Sequence, residues 1–390
     1  MPIKRLRGDR CRQRFLCAAV LLLLGLGKPG FAQDGPGFAQ DRPGFAQGET
    51  AAKPVEQTRG GFVITPVVYY TPETLFSWGI VGIHYFRLGR SEMPSRLSHY
   101  RFNLVHTQNK QTIAQVDYEL YLAGGVMLLD GQAKYSLYPD RFYGSGNRSA
   151  TEDREDFNAR NWRLQVNVQR RWGANLFTGV HLEMFSQHIT ETANNGLLAA
   201  GEIPGSRGAR LTGIGLFGKW DSRDNTFSTS KGTYSALLLN FFPKALGSDF
   251  AFSQLTLDAR KYFPLGRGSV LAVQAIGKST WGECPFQTLP MFGGLNLLRG
   301  FYEGRYRDMS MLAIQAEYRL PLWRRFGLCA FAGLAQVQAK SGQLSLGEFH
   351  PAAGIGLRYK FNPRENLNVR LDVGFADSSP AFYLTFAEAF

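Results

Sequence analysis

Apolar and polar residues alternate with a period of two along much of this chain. In the segment 310–321, Leu312 and Ile314 share one parity, whereas Gln315 and Glu317 share the other. Because successive side chains of a β-strand point to opposite faces, this pattern predicts strands with one apolar and one polar face. No window carries a long helical period, so the alternation predicts an all-β fold.

Segments of this kind recur along the whole chain after residue 60. We predict sixteen strands, at roughly 62–70, 76–88, 97–107, 113–122, 124–138, 160–171, 174–187, 210–221, 232–242, 251–263, 268–281, 310–321, 325–338, 349–361, 366–376 and 381–390. An apolar face for lipid and a polar face for a wet lumen are typical of membrane barrels, and closure leaves no unpaired strand edge in lipid. The sequence therefore predicts a 16-stranded antiparallel transmembrane β-barrel over residues 60–390.

The lengths of the connections predict which end of the barrel faces the cell exterior. Connections 139–159, 188–209 and 282–309 are long and follow odd-numbered strands, whereas those after even-numbered strands are mostly short. Outer-membrane barrels have short periplasmic turns and longer extracellular loops. We therefore expect the barrel to begin and end on the periplasmic side.

One connection after an even-numbered strand, "DSRDNTFSTSKG", is longer than the others and contains closely spaced charged residues. We expect Asp221 and Asp224 to organise a periplasmic turn with Arg223 between them, rather than to form a catalytic carboxylate pair. The predicted turn motif comprises Asp221, Arg223, Asp224, Asn225, Lys231 and Gly232.

The N-terminal region predicts export from the cytoplasm. A basic stretch precedes an apolar run at 15–27, which is too short for a membrane-spanning helix and is typical of a signal peptide cleaved after Ala32. Residues 33–59 carry "PGFAQD" repeats rich in Pro and Gly, so we predict a flexible leader there. Residues 1–32 hold seven basic residues and one acidic residue, so their removal lowers the net charge from +13 to +7.

The sequence carries no motif for catalysis or metal binding. None of its six histidines lies at metal-ligand spacing from another, and Gly-x-Ser-x-Gly, Cys-x-x-Cys and phosphate-loop motifs are absent. His181 and Glu183 share a predicted lumenal face, which a polar lumen wall explains. We predict no catalytic residue, no metal, no cofactor and no nucleic-acid partner, and we expect that the protein is not an enzyme.

The last predicted strand, 381–390, ends in an aromatic residue. Phe382, Leu384 and Phe386 share an outward parity with Phe390, and Glu388 interrupts this face near the expected membrane interface. A terminal aromatic after such alternation is similar to the recognition signal of outer-membrane barrels, so we assign Phe390 that role.

Several motifs then occur in one order along the chain. "GGLNLLRGFYEG", "AEYRLPL" and "NVRLDVGF" resemble the bacterial surface antigen family, the barrel of BamA- and TamA-like assembly and translocation proteins. "FGKWDSRDNTFSTSKGTYSAL", "HTQNKQ" and "YPDRFYGSGN" are similar to further family segments, so the resemblance covers nearly all of residues 60–390. It departs from the pattern at 33–59, which is too short for the POTRA domains of those proteins; a patatin-like lipase domain is also not expected.

The resemblance implies that the connection 282–309 folds into the lumen, where its arginine meets acids on the wall. The motif that it places there is Leu298, Arg299, Gly300 and Phe301. Phe331 occupies the position where the family pattern has an acid. Inward acids remain at Glu317 and Asp372, so we expect Arg299 to pair with Glu317 first, with Asp372 within reach. The alternative is a solvated extracellular loop with an unpaired arginine.

Two functions follow as expectations. The resemblance implies an outer-membrane barrel that assists protein or lipid assembly or translocation with separate partners. The polar lumen keeps a second hypothesis open, a plugged passive pore or structural barrel, and lipid-ester hydrolysis is a third. The expected partners are outer-membrane lipid, the barrel assembly machinery during biogenesis, and an unidentified periplasmic or client protein.

Overall fold

A computed structural model describes residues 60–86, 88, 98–193, 196–225, 227–343, 345–362, 367–376 and 380–390. The predicted signal peptide 1–32 and leader 33–59 lie outside the described residues and stay predictions. Within the described ranges, no helix is both long and apolar enough to cross a bilayer.

Sixteen long strands close into one antiparallel barrel, as predicted. They are β1 (Gly60–Thr71), β2 (Leu75–Phe86), β3 (Ser98–Thr107), β4 (Thr112–Leu122), β5 (Met127–Phe142), β6 (Glu155–Trp172), β7 (Leu176–Thr192), β8 (Gly208–Asp221), β9 (Gly232–Phe242), β10 (Phe252–Pro264), β11 (Val270–Gly282), β14 (Ser310–Trp323), β15 (Phe326–Gln338), β16 (His350–Asn362), β17 (Leu367–Phe375) and β18 (Ala381–Phe386). Two short strands, β12 (Met291–Phe292) and β13 (Tyr306–Arg307), pair with each other in the connection between β11 and β14.

The two faces of the strands follow the alternation in the sequence. On β14, Ile314 and Tyr318 are exposed on the outer face, whereas Gln315 and Glu317 are buried on the inner face. The exposed side chains along the outer face are largely leucine, isoleucine, valine and aromatic residues, which suit contact with lipid. The buried inner face is instead rich in glutamine, arginine and acidic residues.

The strands β5, β6 and β7 extend further toward the long loops than predicted. Their added length carries Phe142 and Phe157, which pack with Phe286 from the connection after β11 and with Phe185. The extension is stabilised because these aromatic side chains bury one another above the lumen. Many phenylalanines of this chain therefore face inward rather than toward lipid.

The barrel closes weakly between its first and last strands. Among the described residues, β1 and β18 share one pair in register, Tyr70 with Leu384. By contrast, β1 pairs with β2 over its whole length, from Gly60 opposite Phe86 to Thr71 opposite Leu75. Backbone groups at an unpaired strand edge lack hydrogen-bond partners, so this closure, called here the seam, is the least stabilised contact between neighbouring strands.

Candidate functional site in the barrel lumen

The connection between β11 and β14, residues 283–309, folds back into the lumen and is called here the lid. Its tip makes a tight turn in which Leu298 and Gly300 have positive φ angles of 53° and 122°. A Cβ on Gly300 would lie 2.8 Å from the Cβ of Ala376, so glycine allows both the backbone conformation and the close approach. Gly374 on β17 likewise leaves room for the lid backbone, because a Cβ at this position would lie 2.6 Å from the carbonyl carbon of Arg299.

Apolar packing holds the lid tip against the wall. Leu298 and Phe301 are each 2% exposed and lie in a cluster with residues of β12 to β16. The cluster comprises Phe292, Leu298, Phe301, Tyr306, Met311, Ala313, Ala335, Val337 and Ala352. In addition, the backbone N–H of Leu298 donates to the side-chain oxygen of Gln315 at 3.2 Å. Two members of the predicted motif thus serve as apolar anchors on either side of Arg299.

Arg299 lies between two carboxylates on the lumen wall. Its guanidinium donates through Nη2 to Glu317 on β14 and through Nη1 to Asp372 on β17. The side chain is 1% exposed, and both acids are fully buried. The structure therefore places Arg299 against both acids named from the sequence, with neither excluded, and the solvated-loop alternative is wrong.

Phe331, which occupies the position of an acid in the family pattern, also contacts the arginine. The Cζ atom of Arg299 lies 3.6 Å from the centre of the Phe331 ring. A cation above an aromatic face is attracted by the ring quadrupole, and this attraction strengthens where water is excluded. Phe331 thus supports the guanidinium through its ring while Glu317 and Asp372 supply the charge.

The two acids also bind arginines that continue the network toward the end of the barrel with the short turns. Glu317 accepts from Nε of Arg319 at 2.9 Å, and Asp372 accepts from Nη1 of Arg358 at 2.5 Å. Arg358 in turn donates through Nε to Glu388 at 2.7 Å. Arg370 completes the group, with Nη1 at 3.6 Å from Asp372. Burying these charges is tolerated because each acid faces more than one cation.

A second set of residues lies across the mouth at the short-turn end and is called here the floor: the turn 222–231, apart from residue 226, and residues 387–390. Phe227 of the turn packs with Ala387 and with Leu367 of β17. The backbone N–H of Glu388 donates to the carbonyl oxygen of Phe227 at 3.0 Å. The ion network therefore runs from the lid to the floor through the wall of β14, β16 and β17.

The prediction for the last residues was wrong in geometry. The strand β18 ends at Phe386, and Ala387 turns the chain inward with a positive φ of 61°. Phe390 is 6% exposed and packs inside the lumen against Tyr262, rather than facing lipid. Glu388 likewise lies in the ion network and not at the membrane interface. Its burial is tolerated because Arg319 and Arg358 compensate its charge.

The structure brings the residues of the turn motif together. Arg223 donates to both carboxylate oxygens of Asp221, and Asn225 accepts from the backbone N–H of Phe227 at 2.8 Å. Asp224 accepts from the backbone N–H groups of Ser230 and Lys231. Gly232 has a positive φ of 114° where the turn enters β9. The arrangement satisfies backbone donors within the turn, as an Asx-type turn does.

The lid also contacts strands on both sides of the seam. The backbone N–H of Gly300 donates to the hydroxyl of Tyr383 on β18 at 3.0 Å. The backbone N–H of Glu303 donates to the carboxylate of Glu73, in the turn after β1, at 3.0 Å. Since these lid residues are three positions apart, one short segment bridges the first hairpin and the last strand.

Acidic groups gather where the lid meets that first hairpin. Burial, together with the nearby carboxylates of Glu73 and Asp140, raises the pKa of Glu303 to about 8. The pKa of Glu73 is also raised, chiefly by burial. The Tyr302 hydroxyl donates to Asp140 at 3.3 Å. Protonation of Glu303 thus favours the docked lid.

Sequence reasoning did not identify several residues of this site. Arg319, Arg358 and Arg370 have the inward parity of their strands, which was the available signal. Tyr383 has the same signal on β18. No sequence signal marks Glu73, because its contact with the lid joins positions 230 residues apart. Sequence patterns report which face a residue occupies but not which distant loop reaches it.

Together, the closed barrel, its apolar outer face and its charged lumenal lid define an outer-membrane β-barrel protein. The Omp85 superfamily domain matches residues 98–375, well over half of the chain. The chain therefore belongs to the Omp85 superfamily.

Solved structures resemble the fold at low sequence identity. BamA from Haemophilus ducreyi lacking POTRA domains 1–3 has a TM-score of 0.59 and 14% identity, covering 85% of this chain and 70% of that one. CdiB from Escherichia coli has a TM-score of 0.52 and 11% identity, covering 89% of this chain and 67% of that one. CdiB from Acinetobacter baumannii has a TM-score of 0.50 and 9% identity, covering 84% of this chain and 59% of that one. This chain therefore spans less than two thirds of that structure. A search of curated protein sequences finds no significant match.

Proposed function

We propose that this barrel assists protein or lipid assembly or translocation at the outer membrane, together with separate partner proteins and without enzymatic chemistry of its own. The observation that carries the proposal is the combination of a minimal seam with a lid that bridges it. The seam has the single registered pair Tyr70 and Leu384 among the described residues. Gly300 and Glu303 contact opposite sides of it.

This geometry couples two events. Separation of β1 from β18 moves Glu73 away from Tyr383, so it breaks at least one of the two lid contacts. Release of the lid removes both contacts and leaves the single registered pair and the packing of Phe386 against Val67 and Tyr69. A passive structural barrel has no need for a seam that is weaker than its other strand pairs, whereas a barrel that admits a strand or a lipid from the side does.

The test is a disulfide across the seam. Tyr70 and Leu384 lie opposite each other and on the outer face, so Tyr70→Cys with Leu384→Cys should form a bond in the oxidising cell envelope. The matched control joins Leu237 and Leu257, which are also in register and exposed, across the fully paired strands β9 and β10. Both variants carry Cys284→Ala and Cys329→Ala, which removes the two free cysteines of the described chain.

Outer-membrane protein and lipid profiles are then measured in cells with each variant as the sole copy. We expect the seam-locked variant to behave like a deletion strain under envelope stress and to recover with a membrane-permeant reductant, while the control stays normal. A deletion strain with unchanged profiles would contradict an assembly role. A locked variant that performs normally beside an impaired deletion strain would show that the seam stays closed during function.

The second candidate is a plugged passive pore, because the lumen holds a cavity of about 350 Å³ between the lid and the floor. Its wall includes Lys134, Arg163 and Lys278. Planar-bilayer recording of the wild type and of Arg299→Ala decides this case. Conductance that appears on release of the lid supports a pore, and its absence in both proteins counts against one.

A further inference from the structure

The two ends of the barrel differ in the charge that they present to solvent. Accessible cations at the end with short turns are Arg170, Arg171, Lys219, Lys231, Lys261, Arg267, Arg324, Arg325 and Lys360. The accessible acids described there are Asp221 and Asp224, which the turn motif already binds. The loop end instead mixes both signs, with Arg148 and Lys244 among acids such as Glu202 and Asp249.

Five of these cations form one patch on neighbouring strands, called here the basic patch: Lys261, Arg267, Arg324, Arg325 and Lys360. Lys261 lies on β10, Lys360 lies on β16, and the other three lie in the turns β10–β11 and β14–β15. The strands from β10 to β16 that these turns join are neighbours in the barrel. Their turns also touch. The backbone N–H of Lys360 donates to the carbonyl oxygen of Arg325 at 2.7 Å, and a Cβ on Gly268 would lie 3.2 Å from the Pro321 ring.

The basic patch lacks compensating acids in the part of the chain that the structure describes. Lys261 donates to the hydroxyl of Thr233 at 2.8 Å, and Arg324 lies 4.6 Å from the centre of the Trp323 ring. Arg267 and Arg325 are exposed without an ion pair among the described residues. Five adjacent cations repel one another, so an anion that spans several of them gains binding energy from each.

Exposed aromatic side chains fix the depth of the patch relative to the bilayer. Trp323 is 64% exposed and Phe263 is 42% exposed, and each lies within two residues of a patch cation. Trp172 and Trp220, at the short-turn ends of β6 and β8, are also exposed. Tryptophan and other aromatics concentrate at the membrane–water interface. The cations therefore lie at headgroup depth rather than free in the periplasm.

We propose that the basic patch is a binding site for the phosphate headgroups of anionic phospholipids in the periplasmic leaflet of the outer membrane. The width of five strands suits a lipid with two phosphates or two adjacent monoanionic lipids. Each basic residue close to an anionic membrane surface contributes to such binding, and the contributions add roughly independently. The site lies outside the lid and the seam, so it stands independently of the function proposed above.

The test compares lipid retention by the full chain and two matched variants. The patch variant carries Arg324→Gln, Arg325→Gln and Lys360→Gln. The control carries Lys110→Gln, Arg207→Gln and Lys244→Gln, exposed cations at the loop end. Each protein is purified in a neutral detergent and titrated with cardiolipin or with phosphatidylcholine, and bound lipid is counted by native mass spectrometry. Thermal unfolding of the barrel checks that each variant is folded.

We expect the wild type and the control to prefer cardiolipin, and the patch variant to bind cardiolipin with an affinity lower by on the order of tenfold or more. Equal loss in both variants, or no preference for cardiolipin in the wild type, would overturn the site. A further arm adds inorganic phosphate at millimolar concentration. If free phosphate displaces the lipid completely, the patch recognises a soluble anion and the assignment to lipid is wrong.

Discussion

The two ends of the lid tip are attached to the barrel in different ways. At one end, Arg299 donates to two carboxylates that further arginines also contact, so its charge is compensated. At the other end, Glu303 lies beside Glu73 and Asp140, where like charges gather and burial favours protonation. The first attachment is to the wall near the last strands, and the second is to the first hairpin. The attachment at Arg299 needs no change of protonation and is called here the permanent anchor. The attachment at Glu303 depends on protonation and is called here the conditional attachment.

The largest effect should come from removing the permanent anchor. Arg299→Ala leaves Glu317 and Asp372 buried with fewer cations, and breaking such a buried pair costs about 3–5 kcal/mol. We expect release of the lid and a lower melting temperature in detergent. Limited proteolysis within 283–309 measures the release. Arg207→Ala, which changes an exposed arginine in another loop, is the control and should alter neither quantity.

A double-mutant cycle of Arg299→Ala with Glu317→Gln sharpens this result. Coupling of more than about 1 kcal/mol is expected, because the pair is in direct contact. Additive effects would assign the anchor to Asp372 alone.

The conditional attachment should respond to pH. The docked lid raises the pKa of Glu303 from 4.5 to about 8, so the docked form holds a proton that the released form loses. Docking is therefore strongest below pH 4.5 and weakens as the pH rises toward 8, by up to about tenfold per pH unit. Hydrogen exchange of the peptide containing Glu303, corrected for its intrinsic pH dependence, measures this change. Glu303→Gln should flatten the profile, and an unchanged slope in that variant would place the titration elsewhere.

The ring of Phe331 should contribute a smaller part of the permanent anchor. Phe331→Leu keeps apolar volume but removes the aromatic face that lies against Arg299, which should cost about 1–2 kcal/mol. Thermal unfolding of the variant is compared with that of Phe331→Tyr, which retains the ring. Equal stability of the leucine variant and the wild type would show that the ring only fills space.

The smallest effect is expected from the hydrogen bond between Gly300 of the lid and Tyr383 of β18. Tyr383→Phe removes the hydroxyl that accepts from Gly300, and loss of one such hydrogen bond costs about 0.5–1.5 kcal/mol. The variant should release the lid slightly without changing the pH dependence. A change in the pH profile instead would mean that the two attachments are not separate.

Much of the barrel could be predicted from alternation alone, because lipid on one side and a wet lumen on the other impose period two on every strand. The inward parity of Glu317 and Asp372 likewise placed both acids on the lumen wall, and the resemblance supplied the arginine that meets them. The inward turn at Ala387 could not be predicted, since a positive φ at alanine leaves no signal in the sequence. The role of Phe331 could not be predicted, because the contact of its ring with the arginine is a cation–π interaction. The alternation of strand faces gives no information on such a contact.

The inward course of residues 387–390 has a practical consequence for anyone who labels this protein. The carbonyl oxygen of Phe390 accepts from Arg319 at 2.7 Å inside the lumen, so a tag fused after Phe390 would begin within the barrel. Its bulk would have to displace the floor before an antibody or resin could bind it. A tag in an exposed loop at the other end of the barrel avoids this conflict.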